Sequence, residues 1–288
     1  MADRPFTPAD LQPLGPDSLQ WRLGFPRLGL LLAGRALLLQ VAHPVVGAGV
    51  RDHSNFRADP WGRLDRTVES LLLQLFGGAA TAAEGQRLRA LHTRITGTGF
   101  DGRPYAALDL EAGAWVHISN FDTVVVYHQR FGRGLSPADV ERLWGEWRRV
   151  GRLLAIPAEH LPETGVEAER RVASLDSGRL GPNPTVDDLL DAFTLADVAA
   201  PYPVVPGPLW RGVRRPAGRL LSDLTVGTAP PALRDCLDLP WTVRDQRRLT
   251  REIAVVRAAE RALPDVVAQA PVARQARRWA ARATRPGA

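Results

Sequence analysis

The segment SPADVERLWGEWRRVGRLLAIP constrains the fold more than any other stretch of the chain. Ser136 is a natural N-cap, Pro137 suits the first helical position, and Asp139 stands three residues after the cap. Val140, Leu143, Trp144, Trp147 and Leu154 then form an apolar stripe at helical spacing, and Pro157 stops the pattern. The same grammar recurs at Thr185, with Asp188 ahead of Leu189, Leu190 and Phe193. It recurs again at Thr242, with Asp245 ahead of Leu249, Ile253, Val256 and Leu263, before Pro264. Residues 123–127 are β-branched, yet they continue the series Trp115, Ile118, Asp122, Val125 behind the candidate cap Asp109, and so read as helix too. The fold class these patterns imply is all-α.

A chain of 288 residues can bury a large core without disulfide or metal staples. No repeat of 20 to 50 residues is visible, which argues against a solenoid. The Pro/Gly-rich stretches 181–184 and 201–208 lie between helices too short to form separate cores, and read as ordered loops of one domain. The organisation expected is an N-terminal extension over 1–20, a single domain over 21–265 and a basic tail over 266–288 whose last fifteen residues fray.

All 37 basic residues are Arg, against 31 acids. The isoelectric point near 10.6 therefore reflects guanidinium groups that do not titrate, and is weak evidence for a nucleic-acid partner. Residues 1–240 hold 26 Arg against 27 acids, while residues 241–288 hold 11 against 4, so the body is neutral and the end is basic. The absence of Lys excludes a Walker A loop, a Schiff-base mechanism and a pyridoxal phosphate enzyme. There is no GxSxG either, nor a GxGxxG between strand and helix. Cys236 is alone, so no intramolecular disulfide and no Cys-based metal site can form, and a reducing, cytoplasmic setting fits. The N-terminus has no signal pattern. The most apolar stretch, Leu28 to Val50, is interrupted by Arg35, Gln40, His43 and Pro44, which favours a core helix over a membrane span.

Three segments concentrate polar groups. In WGRLDRTVESLLLQLFGG, Leu64, Val68, Leu71, Leu72 and Leu75 share one helical face, while Arg63, Arg66, Thr67, Ser70 and Gln74 stack on the other. That polar face is either an ordinary solvated one or the wall of a cavity, where its charges would hold an oxyanion, a carboxylate or a haem propionate. In GQRLRALHTRITGTG, His92 falls in the apolar stripe Leu88, Leu91, Ile95 of a short helix, and is expected to be buried as a core residue or as a haem ligand. In GRALLLQVAHPVVGAGVRDHSNF, Pro44 pushes His43 out of the helical region, so the helix should break there, with His53 following a Gly-rich turn. His117, near Asn120 and Asp122, suggests a polar pocket in a core helix. No HExxH or other standard metal spacing occurs.

Taken in order, GRALLLQVAHPVVGAGVRDHS, DPWGRLDRTVESLLLQLFG, LRALHTRITGTGFDGRPYAALDLEAGAWVH, LSPADVERLWGEW and TVGTAPPALRDCLDLPW resemble the latex-clearing-protein and MpaB-type oxygenase family, from about Trp21 to about Ala262. The resemblance implies a globin-like helical core around haem b, used with dioxygen. In the rubber-cleaving members the iron ligand is a His on a helix that follows an Arg-x-x-Lys-Thr segment. That pattern matches Arg63, Arg66 and Thr67 here, as catalytic and haem-anchoring groups, and His92 as the iron ligand. His43 is a further cofactor-binding candidate. Arg66 stands where those members carry Lys, and their distal acid has no clear match, since the segment before Arg63 offers only Asp52 and Asp59. With no export segment in view, the implied substrate is a small apolar molecule, such as an alkene or isoprenoid, and no specific nucleic acid is a partner. Two rival readings remain: a family member that has lost haem, and a binding module. The second would use Arg274, Arg277, Arg278 and Arg282 around Trp279 on nucleic acid or an anionic membrane surface.

Overall fold

The computed structural model describes residues 12–176, 179–201 and 205–283. They form a single all-α domain of fourteen α-helices, two 3₁₀ turns and one small hairpin. The helices are α1 (Leu19–Leu23), α2 (Ala33–Val41), α3 (Pro44–His53), α4 (Pro60–Phe76), α5 (Ala80–His92), α6 (Leu110–Arg130), α7 (Pro137–Leu153), α8 (Gly165–Ala173), α9 (Pro184–Phe193), α10 (Gly207–Thr228), α11 (Pro231–Cys236), α12 (Val243–Ala262), α13 (Asp265–Ala268) and α14 (Pro271–Ala283). Between α5 and α6 the strands β1 (Thr96–Thr98) and β2 (Pro104–Ala106) pair antiparallel, Gly97 opposite Tyr105.

The capping chemistry behaves as its residue types dictate. Ser136 accepts from the Asp139 amide at 3.1 Å while the Asp139 carboxylate accepts from the Ser136 amide at 3.2 Å, a reciprocal box that starts α7. Thr242 and Asp245 start α12 in the same way, and Asp109 caps α6. Trp144 and Trp147 of α7 are fully buried against Phe121 of α6, with ring centroids 4.8 and 5.9 Å away. The helix ends at Leu153, ahead of Pro157, because Ala155 turns to a positive φ. The buried Glu146 carboxylate accepts from the amides of Leu19 and Gln20 at 2.6 and 2.8 Å, which ties the first turn of α1 to α7.

At Thr185 the expected cap moves. Asn183 accepts from the amides of Thr185 and Val186, and the Thr185 hydroxyl donates instead to the Gly47 carbonyl of α3 at 2.9 Å. The break at His43 is as expected: α2 and α3 meet at 110°. The glycines after it do not form a turn, however, but continue α3. A Cβ at Gly47 would strike the Val41 carbonyl oxygen, so the absence of a side chain lets the chain fold back on itself there.

α2 is the hub of the core, packing against α6, α9 and α10. A Cβ at Gly34 would overlap the Thr225 hydroxyl, so this glycine sets how closely α2 and α10 approach. The end of the chain does not fray as far as expected. α14 buries Ala273 and Ala276 and packs against α1 and α4, and Arg277 pairs with Asp265 and donates to the Arg22 carbonyl. Arg274 donates to the Val266 carbonyl at 3.1 Å. The side chains of Trp279 and Arg282 lie outside the described ones, as do residues 1–11, 202–204 and 284–288 of the expected extension, loop and tail. Among the described residues, no single helix is long and apolar enough to cross a membrane.

Candidate active site

α4 and α5 form a helical hairpin joined by residues 77–79. Asp59 caps α4 by accepting from the Gly62 amide at 2.9 Å, and Pro60 opens the helix without a donor to leave unpaired. Near the turn, Ser70 of α4 donates to Glu84 of α5. Glu84 is buried and also accepts two bonds from Arg87 at 2.7 Å, and these hold its carboxyl below the usual range against the opposing effect of burial. At the far end of the hairpin, Arg63 lies within electrostatic reach of His92.

This packing rolls α5 away from the expected orientation. Its buried residues are Thr81, Glu84 and Gly85, whereas Leu91 is 48% exposed and His92 is half-buried. The reason is local. A Cβ at Gly85 would meet the Leu153 carbonyl oxygen, so α5 turns its smallest residue to α7, and Glu84 tolerates burial because Ser70 and Arg87 satisfy it. His92 therefore stands at the rim of the hairpin. Burial lowers its pKa first, and the charges of Arg63 and Arg87 lower it further, so the imidazole is neutral at pH 7. Its ring nitrogens hydrogen-bond to no described residue, so the lone pair of the unprotonated one is available to an electrophile.

Arg63 and Thr67 lock together on α4. The guanidinium Nη1 donates to the Thr67 hydroxyl, which donates in turn to the Arg63 carbonyl at 2.8 Å, and Nε donates to Ser54 at 3.2 Å. The remaining Nη2 hydrogen-bonds to no described residue. Arg66 turns instead toward the preceding loop, donating to Asn55 at 3.0 Å and to Asp59 at 3.4 Å.

Arg63 is hydrogen-bonded to Thr67 and lies within electrostatic reach of His92, while the other candidates lie elsewhere. His43 is fully buried among charges contributed by Asp109, Glu111 and Arg179, and neither ring nitrogen has a hydrogen-bond partner. Asp52 is held by Arg51 and by the Tyr105 hydroxyl, which lower its pKa to about 2, and Asp59 caps α4; both carboxylates are committed. His53 is exposed and sits 3.3 Å from the Thr96 carbonyl. His117 donates to or accepts from nothing but the core: its Nε2 lies 2.8 Å from the Trp147 carbonyl, and burial drops its pKa to about 4. Asn120 binds Gln40 and Asp122 pairs with Arg35, so the three polar residues of that segment do not form one pocket. Glu84 and Arg87 were not evident from the sequence. Their spacing of three on a helix that also carries His92 was the available signal.

At one end of a helical hairpin, this all-α protein thus holds an imidazole, with no hydrogen bond to a described residue, within electrostatic reach of a guanidinium. The chain belongs to the family of the catalytic domain of ER-bound oxygenase mpaB/B′ and rubber oxygenase, whose model matches residues 21–258. It is also 25% identical over 244 residues to an uncharacterized protein of Mycobacterium bovis and to one of Mycobacterium tuberculosis, covering 82% of this chain and 90% of each of them. No solved structure matches.

Proposed function

We propose that this member of an oxygenase family is a haem b-dependent enzyme that acts with dioxygen on a small apolar molecule of alkene or isoprenoid type, with His92 as the iron ligand. The observation that carries this reading is the state of His92: free of hydrogen bonds to described residues, with its pKa lowered by burial and by the charges of Arg63 and Arg87. The donor set fits the group. A neutral imidazole is the side chain that haem iron takes on its proximal side, and Arg63, whose Nη2 has no described partner, suits an anionic propionate. When bound, haem would supply an iron centre able to bind dioxygen.

The chain's own residues do the rest. Arg63 offers Nη2 to an anionic group while Thr67 and Ser54 fix its plane. Arg66 is tied to Asn55 and Asp59, so it does not replace the distal lysine of rubber-cleaving relatives as a reversible ligand. The apolar substrate class follows the family, and Leu88 and Leu91 beside His92 are compatible with it. The test is expression with ample haem precursor, followed by absorption spectra of the parent and of His92→Ala. The reading expects a Soret band in the parent and its loss or displacement in the variant. A parent with no Soret band, or a variant with an unchanged one, contradicts it, and the former outcome favours the haem-less alternative.

A further inference from the structure

A polar cavity of about 360 Å³ lies away from the α4–α5 hairpin, lined from α2, α6, α8, α10, α11 and α12. Its floor is the Arg35–Asp122 ion pair, 2.5 Å between Nη2 and Oδ2, with side chains only 3% and 8% exposed. Arg35 also donates to the Thr228 carbonyl and to Thr123 Oγ1, both at 2.9 Å, so each of its three guanidinium nitrogens has a partner and the floor is fixed. The rim is different. Arg130 lines the cavity with a guanidinium that has no partner among the described residues. Arg234 is held in place by donating to the Ala229 carbonyl at 2.8 Å and by lying 5.8 Å over the Trp241 ring, which leaves its other terminal nitrogen unused. Gln246 accepts from Trp241 through Oε1, so its amide nitrogen is free to donate.

Three cations thus line the cavity against one carboxylate, Asp122, and that carboxylate is already neutralised by Arg35. Glu169 lies within electrostatic reach of Asp122 but does not line the cavity. The uncompensated charge sits where a ligand would enter, on two guanidiniums whose planar donors match oxyanions. The volume suits a small metabolite, well below a cofactor the size of haem.

We infer that this cavity is a binding site for a small oxyanion, a phosphate or carboxylate group gripped by Arg130, Arg234 and Gln246 above the Arg35–Asp122 floor. The site is separate from the hairpin that carries His92, and it stands or falls independently of haem binding.

The experiment measures thermal unfolding of the full chain as inorganic phosphate, and separately malonate, is titrated against sodium chloride of matched ionic strength. The parent, Arg130→Ala and Arg234→Gln are compared. The proposal expects a saturable rise in Tm with at least one anion and none with chloride, and an apparent Kd about tenfold to a hundredfold weaker in each variant. Phosphate alone, or malonate alone, identifies which oxyanion the site takes. Absence of a saturable rise with both anions overturns the proposal, as does a rise that survives undiminished in the variants. Should Arg234→Gln fail to fold for want of its bond to Ala229, Arg130→Ala alone decides, since that side chain supports nothing else in the fold.

Discussion

Replacing Arg35 with Met would leave the Asp122 carboxylate in the core without its cation. Arg35 is 2% exposed and Asp122 6%, and among the described residues the guanidinium is the only cation paired with that carboxylate. Breaking a buried pair from one side costs about 3–5 kcal/mol, since the other charge stays desolvated. Protonation of Asp122 limits the loss: holding a carboxyl neutral at pH 7, about three units above its ordinary value, costs about 4 kcal/mol. Burial already pushes the Asp122 pKa up, with Arg35 opposing it, so removing Arg35 raises it further. A carboxyl whose folded pKa lies above its unfolded one loses stability as pH rises between the two. The variant should therefore recover about 1.4 kcal/mol for each unit the pH is lowered in that window. Urea unfolding of the parent and Arg35→Met at pH 7 and pH 5 should show a loss of about 3–4 kcal/mol that shrinks by about half or more. Arg35→Met with Asp122→Leu should regain most of it at both pH values. A loss under about 1 kcal/mol at pH 7, or an equal loss at both, would refute the reasoning.

Two other outcomes follow from the same physics. Burial lowers His117 and His128 to about 4, against about 6.5 in the unfolded chain, so each contributes stability that is complete above pH 6.5 and declines as pH falls toward 4. By pH 5 the loss should be about 2 kcal/mol per histidine, read as a lower urea midpoint; a midpoint unchanged between pH 7 and 5 would contradict their burial as neutral rings. Ser136→Ala removes half of the α7 capping box and should cost about 1 kcal/mol, while Ser136→Asp should retain most of the stability in equilibrium denaturation.

The helical architecture was legible where the governing chemistry is local. Ser136, Thr242 and Asp109 cap their helices through neighbours three residues away, and the kink at His43 follows from the ring of Pro44. It was not legible where a tertiary contact competes. Thr185 gives its hydroxyl to Gly47 across the fold, so Asn183 takes over the cap. His92 looked buried because three apolar residues share its stripe, but Gly85 and a satisfied Glu84 gave α5 a better face to bury. Spacing put Arg63, Arg66 and Thr67 on one polar face with Ser70 and Gln74; Arg63 and Thr67 do bond to each other, but Arg66 was drawn off by Asn55 and Asp59, residues of the preceding loop whose path periodicity does not reveal. The Arg35–Asp122 pair left its mark as one guanidinium in an apolar helix and one acid in a core helix, each of which needs a partner when buried. Which partner, and the cavity above it, required the three-dimensional arrangement.

The central claim is that His92 carries haem iron, and the absorption spectrum of the purified protein tests it most directly. The account expects a Soret band that shifts on reduction with dithionite and again on addition of carbon monoxide, and that is lost or displaced in His92→Ala while the variant keeps its helical circular dichroism. A folded parent without a Soret band after expression with ample haem, or a folded His92→Ala whose spectrum matches the parent's in all three states, would contradict it.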